Sequence, residues 1–246
     1  MLKKLVAEDY PSPTTVVFDL DNTLYPYPPS HKAALEDALK KLEIATGISR
    51  NAVLQGYETA RLQIKSQLGA TASAHSRLLY FQRTLELLGV RPCISLALDL
   101  EQTYWRVFLR NASLFEGARD FLHLLRSKGI KIACVTDLTA QIQFRKLIYF
   151  DLDSYFDYLV SSEESGADKP EENSFNTLSE KISLDPKRTW IIGDDVSKDM
   201  TGGRRAGYRT FFYRHYYSKN QEYSSEDTDV VFDSFESLGR FVEEIE

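Results

Sequence analysis

The sequence predicts an α/β protein built on a parallel sheet, with an all-helical segment inserted after the first strand. Three observations point there. From Glu116 onward, short apolar runs of strand length alternate with amphipathic stretches of helix length. An equally apolar run, Thr14 to Leu20, stands alone near the N-terminus. Between them, from Lys32 to Arg110, the periodicity is helical and no convincing strand occurs.

Thr14 to Leu20 is continuously apolar rather than alternating, so it predicts a strand buried on both faces, as in a parallel sheet. Tyr25-Pro26-Tyr27-Pro28-Pro29 then predicts a turn-rich break. In the inserted segment Leu35, Ala38, Leu39 and Leu42 recur at helical spacing. Val53, Tyr57, Ala60, Leu62 and Ile64 do so more loosely. Leu78, Phe81, Leu85 and Leu88 form a stripe closed by Gly89, and Trp105, Phe108 and Leu109 end another. The alternating part predicts helices at Phe121 to Lys128, Ala140 to Tyr149, Glu172 to Ile182, Lys198 to Ala206 and Phe235 to Glu244. It predicts strands at Ile130 to Thr136, Tyr158 to Ser162, Thr189 to Gly193, Thr210 to Tyr213 and Asp229 to Phe232. The first strand belongs to the same sheet despite the insertion. The expected division is a core of residues 1–27 and 113–246 and a helical domain of residues 28–112. No internal repeat or low-complexity tract interrupts this plan.

Bulk properties exclude several classes. The chain has 246 residues, 43% hydrophobic and 27% charged, so it can bury a sizeable core. A net charge of -6 argues against a broad nucleic-acid surface while leaving room for a locally positive pocket. Two cysteines, Cys93 and Cys134, do not make a disulfide framework, and Cys134 sits in an apolar run as a core thiol. Met1 to Pro13 has no apolar signal region, and no run is long enough to span a membrane. A reducing, cytoplasmic setting is the expectation, with no nucleic-acid or membrane partner.

Parallel α/β sheets bind ligands beyond the carboxyl ends of their strands. The first strand ends in Asp19-Leu20-Asp21-Asn22-Thr23, and the next expected strand in Thr136-Asp137. Asp168-Lys169-Pro170 follows the third, and Gly193-Asp194-Asp195 follows the fourth, with Asp199 beyond. Carboxylates, a hydroxyl and an ammonium thus converge on one rim. Asp19 and Asp21 repel each other unless a cation lies between them, and Asp194 and Asp199 add negative charge. A hard divalent ion with oxygen ligands, Mg2+, relieves this. The four histidines are scattered, so no zinc spacing occurs.

These motifs resemble the haloacid-dehalogenase-like hydrolase superfamily. Asp19-Leu20-Asp21-Asn22-Thr23 matches its DxDxT motif, Thr136 the hydroxyl of its second motif, and Lys169 the lysine of its third. Gly193-Asp194-Asp195-Val196-Ser197-Lys198-Asp199 matches its acidic fourth motif, with Gly202 and Ala206-Gly207 continuing it. The resemblance runs from about Thr14 to Tyr213, and its strength lies in four motifs in order. It implies a Rossmann-like core with a helical cap hinged near Tyr25 to Pro29 and Asn111 to Glu116. It also implies a phosphatase acting on a small phosphorylated metabolite, such as a nucleotide or sugar phosphate. Asp19 would attack phosphorus, Asp21 would serve as acid and base, and Thr136 and Lys169 would bind the phosphoryl group. Mg2+ would be held by Asp19, the backbone carbonyl of Asp21 and Asp194, while Asp199 orients the water shell or Lys169.

Asp137 departs from the Asn or Ser common at that position, and is expected to cap the following helix rather than join the site. Asp195 is likewise expected to be a helix cap. Within the helical segment, His75 and Arg77 could meet a leaving group or simply lie in a capping loop. Tyr213 to Tyr223, with Arg214 and His215, could stack on a base but is expected to be ordinary packing. A phosphomutase, a metal-independent dehalogenase and a non-catalytic binding protein are the rival functions. Asp21, Thr23 and Asp194 argue against the dehalogenase. Retention of Asp19, Asp21, Lys169 and Asp194 argues against the binding protein.

Overall fold

The computed structural model describes residues 1–6 and 10–245. They form a seven-stranded sheet flanked by helices, together with a separate helical unit. The strands are β1 (Leu2–Lys4), β2 (Thr15–Phe18), β3 (Lys131–Thr136), β4 (Tyr158–Ser161), β5 (Thr189–Gly193), β6 (Arg209–Tyr213) and β7 (Val230–Phe232). Their spatial order is β1-β7-β6-β5-β2-β3-β4. Every neighbouring pair is parallel except β1 with β7. Chain order reverses between β2 and β5, so the crevice between their carboxyl ends is the topological switch point.

The chain divides into two compact units. One comprises Met1–Pro26 with Ser113–Glu246, and the other Tyr27–Ala112. The second holds α1 (Tyr27–Thr46), α2 (Arg50–Leu68), a 3-10 turn at Ala72–His75, α3 (Arg77–Leu87) and α4 (Ile94–Arg110). Helix α1 packs on α4, and α2 on α3. The buried stripes are Ala38, Leu39 and Leu42, then Val53, Tyr57 and Ala60, then Phe81 and Leu85, closed by Tyr104 and Phe108. Leu62 and Leu78 lie on exposed faces instead of in these stripes. The Tyr25 to Pro29 stretch is not all turn. Helix α1 begins at Tyr27, with Pro28 and Pro29 in its first turn, where no helical N–H bond is lost.

The first unit carries α5 (Ala118–Ser127), α6 (Ala140–Tyr149), the short α7 (Ser162–Ser165), α8 (Glu172–Lys181), α9 (Thr201–Arg205) and α10 (Phe235–Glu244). All four residues of β2 and all five of β5 are buried, because helices cover both faces. Side-chain alternation sorts the two layers. Val17, Ala133, Val135 and Ile191 pack with Phe175 and Leu178 of α8. Phe18 turns to the other face and meets Phe121 of α5, which in turn touches Phe235 of α10.

Several boundaries differ from the sequence reading. β4 stops at Ser161, and Ser162 opens α7 rather than extending the strand. The helix expected at Lys198 to Ala206 starts earlier, as a π-helical turn at Val196–Met200, and continues as α9. Asp195 caps it, accepting from the backbone N–H of Ser197 (2.9 Å) and Lys198 (3.1 Å). The three-residue β1 is an edge strand too short to show a pattern. Among the described residues no helix is long and apolar enough to cross a membrane.

Candidate active site

Asp19 lies one residue beyond β2. Its backbone N–H donates to Ile192 O of β5 at 2.9 Å, continuing the ladder to the sheet rim. The residue is 7% exposed. One carboxylate oxygen lies 2.6 Å from Lys169 Nζ, and the other accepts from Thr23 Oγ1 at 3.0 Å. Lys169 Nζ also donates to Asp199 Oδ1 (2.6 Å) and to Val135 O (3.0 Å). An ammonium has three donors, so this buried lysine is fully engaged and locked.

Asp199 sits in the π-helical turn and is held from two sides. Its second oxygen accepts from the Asp195 backbone N–H at 3.1 Å. Gly193 makes room for it, since a Cβ there would lie 2.3 Å from Asp199 Oδ2. Asp194, at the end of β5, completes the group. Oxygens of Asp19, Asp194 and Asp199 all lie within 4.8 Å of one another, and all three residues are buried.

The electrostatics of this group are unbalanced. Burial pushes the Asp19 carboxyl up to about 7 despite Lys169. Burial, reinforced by the Asp19 and Asp199 charges, raises Asp194 well above the ordinary carboxylate range. Asp199 is also raised by burial, with Lys169 opposing. Burial works against the charge on Lys169, but Asp19 and Asp199 outweigh it and hold the ammonium protonated. Three carboxylates against one ammonium leave negative charge uncompensated. An all-oxygen donor set with that excess fits a hard divalent cation and does not suit zinc or a soft metal. Asp19, Asp194 and Asp199 are the residues that could hold it.

The remaining sequence candidates fall nearby with different partners. Asp21 does not turn its side chain into the carboxylate group. Both its oxygens are bound by Lys146 Nζ of α6, at 2.6 and 2.8 Å, and Oδ1 also accepts from the Tyr25 hydroxyl. Thr136 ends β3, and its hydroxyl accepts from Gln143 Nε2 at 2.7 Å. Asp137 does not cap α6 as expected, for the cap position is Thr139. Its carboxylate instead accepts from the Lys169 backbone N–H (3.0 Å) and from Lys198 Nζ (2.7 Å). It thereby ties the lysine loop to the acidic loop from outside the group.

Lys146 and Gln143 join the site without a motif that announces them, and His215 from a segment expected to be ordinary packing. Lys146 is fully buried, and Gln143 is too. One turn apart on α6, they interrupt a face otherwise made of Ile142 and Leu147. Two polar residues on an apolar stripe were the available signal. His215 Nε2 lies 3.9 Å from Asp194 Oδ2, and burial lowers the ring to about 4, so it is neutral. Tyr213 packs on Phe232 and Phe115, as expected of ordinary packing, while Tyr216 and Tyr217 are exposed. His75 and Arg77 belong to the helical unit, where Arg77 is buried.

The chain is similar to known proteins in sequence and in fold. Residues 13–207 match the haloacid dehalogenase-like hydrolase family. The chain is 36% identical over 201 residues to a ribulose-1,5-bisphosphate 5-phosphatase of Halopiger xanaduensis, covering 81% of this chain and 84% of that one. It is 28% identical over 218 residues to a glyceraldehyde 3-phosphate phosphatase of Methanopyrus kandleri, covering 89% and 90%. Among solved structures it is similar to the magnesium-bound hydrolase YfnB of Bacillus subtilis, with a TM-score of 0.67, 23% identity and coverage of 96% and 99%. It is also similar to a 2-haloacid dehalogenase of Pseudomonas syringae, with a TM-score of 0.73, 18% identity and coverage of 94% and 98%. These structures share the fold. The chain belongs to the haloacid dehalogenase-like hydrolases.

Proposed function

We propose that this haloacid dehalogenase-like hydrolase is a phosphoric monoester hydrolase that acts on a small phosphorylated metabolite with Asp19 as nucleophile. The observation that carries the reading is the clamp of Lys169 on Asp19 at 2.6 Å, beside Asp194 and Asp199, at the switch point of the sheet. Relatives named as phosphatases of ribulose 1,5-bisphosphate and glyceraldehyde 3-phosphate support the same reaction class and favour a sugar or triose phosphate.

In the first half-reaction an Asp19 oxygen forms a bond to phosphorus as the ester P–O bond breaks, and Asp21 gives its proton to the departing oxygen. Water then attacks the aspartyl phosphate. Its proton goes to Asp21, phosphate leaves, and the Asp19 carboxylate is restored. Lys169 supplies positive charge to the transferring oxygens while keeping Asp19 aimed. The Thr136 hydroxyl, held by Gln143, hydrogen-bonds a phosphoryl oxygen in this reading. Mg2+, held by Asp19, Asp194 and the Asp21 backbone carbonyl with Asp199 behind them, would neutralise charge on the carboxylates and the phosphoryl group. The helical unit, joined to the core near Pro26 and Ala112, serves as the selecting cap.

The test is phosphate release from a panel of sugar phosphates, nucleotides and an aryl phosphate, with and without Mg2+, for wild type and Asp19→Asn. Mg2+-dependent release by wild type alone is the expected result. Full activity in Asp19→Asn, or release indifferent to chelation, overturns the reading.

A further inference from the structure

Arg77 opens α3 and is 8% exposed, yet among the described residues no carboxylate pairs with it. Its guanidinium donates to His75 O at 2.5 Å and to the Tyr27 hydroxyl, both neutral. Aromatic faces enclose the rest, with Tyr104 and Trp105 rings centred 5.2 and 5.6 Å from the guanidinium carbon. Burying a cation is costly without an anion, and cation–π contacts recover only part of that cost.

Two donors in this cluster end on nothing. Arg77 Nε is buried without a hydrogen-bond partner, and so is the Tyr57 hydroxyl. Buried polar groups are nearly always satisfied, so a pair of orphan donors calls for an acceptor. His31 does not supply a counter-charge, since its Nδ1 shares a hydrogen bond with the Tyr104 hydroxyl at 2.6 Å. Burial, with Arg77 adding to it, drives that ring down to about 4, which leaves it neutral. Tyr27 and His31, which belong to the cluster, are only partly buried.

We propose that the helical unit carries an oxyanion-binding site centred on Arg77 and completed by the Tyr57 and Tyr27 hydroxyls, which takes a phosphate or carboxylate group of a small metabolite. A guanidinium with an aromatic surround is suited to such planar or tetrahedral anions. The proposal stands apart from the phosphatase reading. Its binding test needs no turnover and so succeeds or fails independently of that reading.

The probe is inorganic phosphate, titrated without Mg2+ against the intact chain, with the fluorescence of the adjacent Trp105 as readout. A saturable change is expected in wild type, absent in Trp105→Phe, and weakened at least about tenfold in Arg77→Met and Arg77→Gln. With the orphan charge gone, those variants should match or exceed wild type in Tm. An unchanged titration in a folded Arg77 variant overturns the proposal. So does failure of both variants to fold, since that assigns Arg77 to the core alone. A KM raised in Arg77→Met for a bisphosphate ester but not for an aryl phosphate supports the site with the substrate as source. Lost binding with unaltered kinetics supports it with a free anion as ligand.

Discussion

Lys146 places its ammonium 2.6 and 2.8 Å from the two carboxylate oxygens of Asp21, with the lysine wholly inaccessible to solvent. The pair joins the middle of α6 to the loop after β2, and the Tyr25 hydroxyl adds a third hydrogen bond to the same carboxylate. The carboxylate proposed to exchange a proton is thereby fixed in position. Lys146 bears on the proposed reaction through Asp21.

Lys146→Met should therefore lower kcat by about 10- to 100-fold, the scale of a mispositioned acid-base group. The diagnostic measurement is the double-mutant cycle with Asp21→Asn. In that background Lys146→Met should cost no more than about twofold. An equal loss in both backgrounds would mean that Lys146 supports the fold and not Asp21.

Gly193 shows how tightly the acidic loop is built. A methyl group there would collide with the Asp199 carboxylate at 2.3 to 2.5 Å. Gly193→Ala should displace Asp199, loosen Lys169 and destabilise the chain by about 1–3 kcal/mol. Removing the obstruction in Gly193→Ala/Asp199→Gly should restore part of the stability in urea denaturation but not the activity. Recovery of neither would place the strain elsewhere.

Excess carboxylate charge at Asp19, Asp194 and Asp199 predicts that divalent cation stabilises the fold. At about a hundredfold excess over Kd, Mg2+ should add roughly 2.7 kcal/mol, seen as a raised Tm. Asp194→Asn removes one donor and one charge, so its Tm without metal should stay near or above that of wild type. The response to Mg2+ should vanish. A Tm rise that persists in Asp194→Asn would move the cation to another site.

The strand ends were legible because chemistry there follows chain order. Asp19, Thr136 and Asp194 each sit at or just beyond a run whose apolar continuity marks a buried parallel strand, while Lys169 follows β4 only after the short α7. What was not legible depends on partners remote in sequence. Asp137, ahead of a helix, reads as a cap, yet Lys198, far along the chain, claims its carboxylate. Lys146 binds a residue 125 positions away, and a lysine in a helix ordinarily predicts a solvated face. Leu62 and Leu78 fitted a periodic stripe that the packing of α2 on α3 does not use. The π-helical start at Val196 accompanies the seating of Asp199 against Gly193, which propensity does not encode.

His31 makes the helical unit acid-sensitive. In the folded chain it titrates near 4, lowered first by burial and then by Arg77 and Arg61, against an ordinary value of 6.5. Between those limits the unfolded chain binds a proton that the native chain does not. The stability from keeping the ring neutral is intact above about pH 6.5 and is lost as pH falls toward about 4. Because the ring is only partly shielded from solvent, the loss should be on the order of 1–2 kcal/mol rather than the full value of the shift. Gln at position 31 can still hydrogen-bond but cannot titrate. Urea denaturation of wild type and His31→Gln at pH 7.5 and pH 4.5 isolates the contribution. The wild type should lose more stability than the variant between the two values by that amount. Parallel losses would show that other groups carry the acid sensitivity and that the proton on His31 is bound alike in both states.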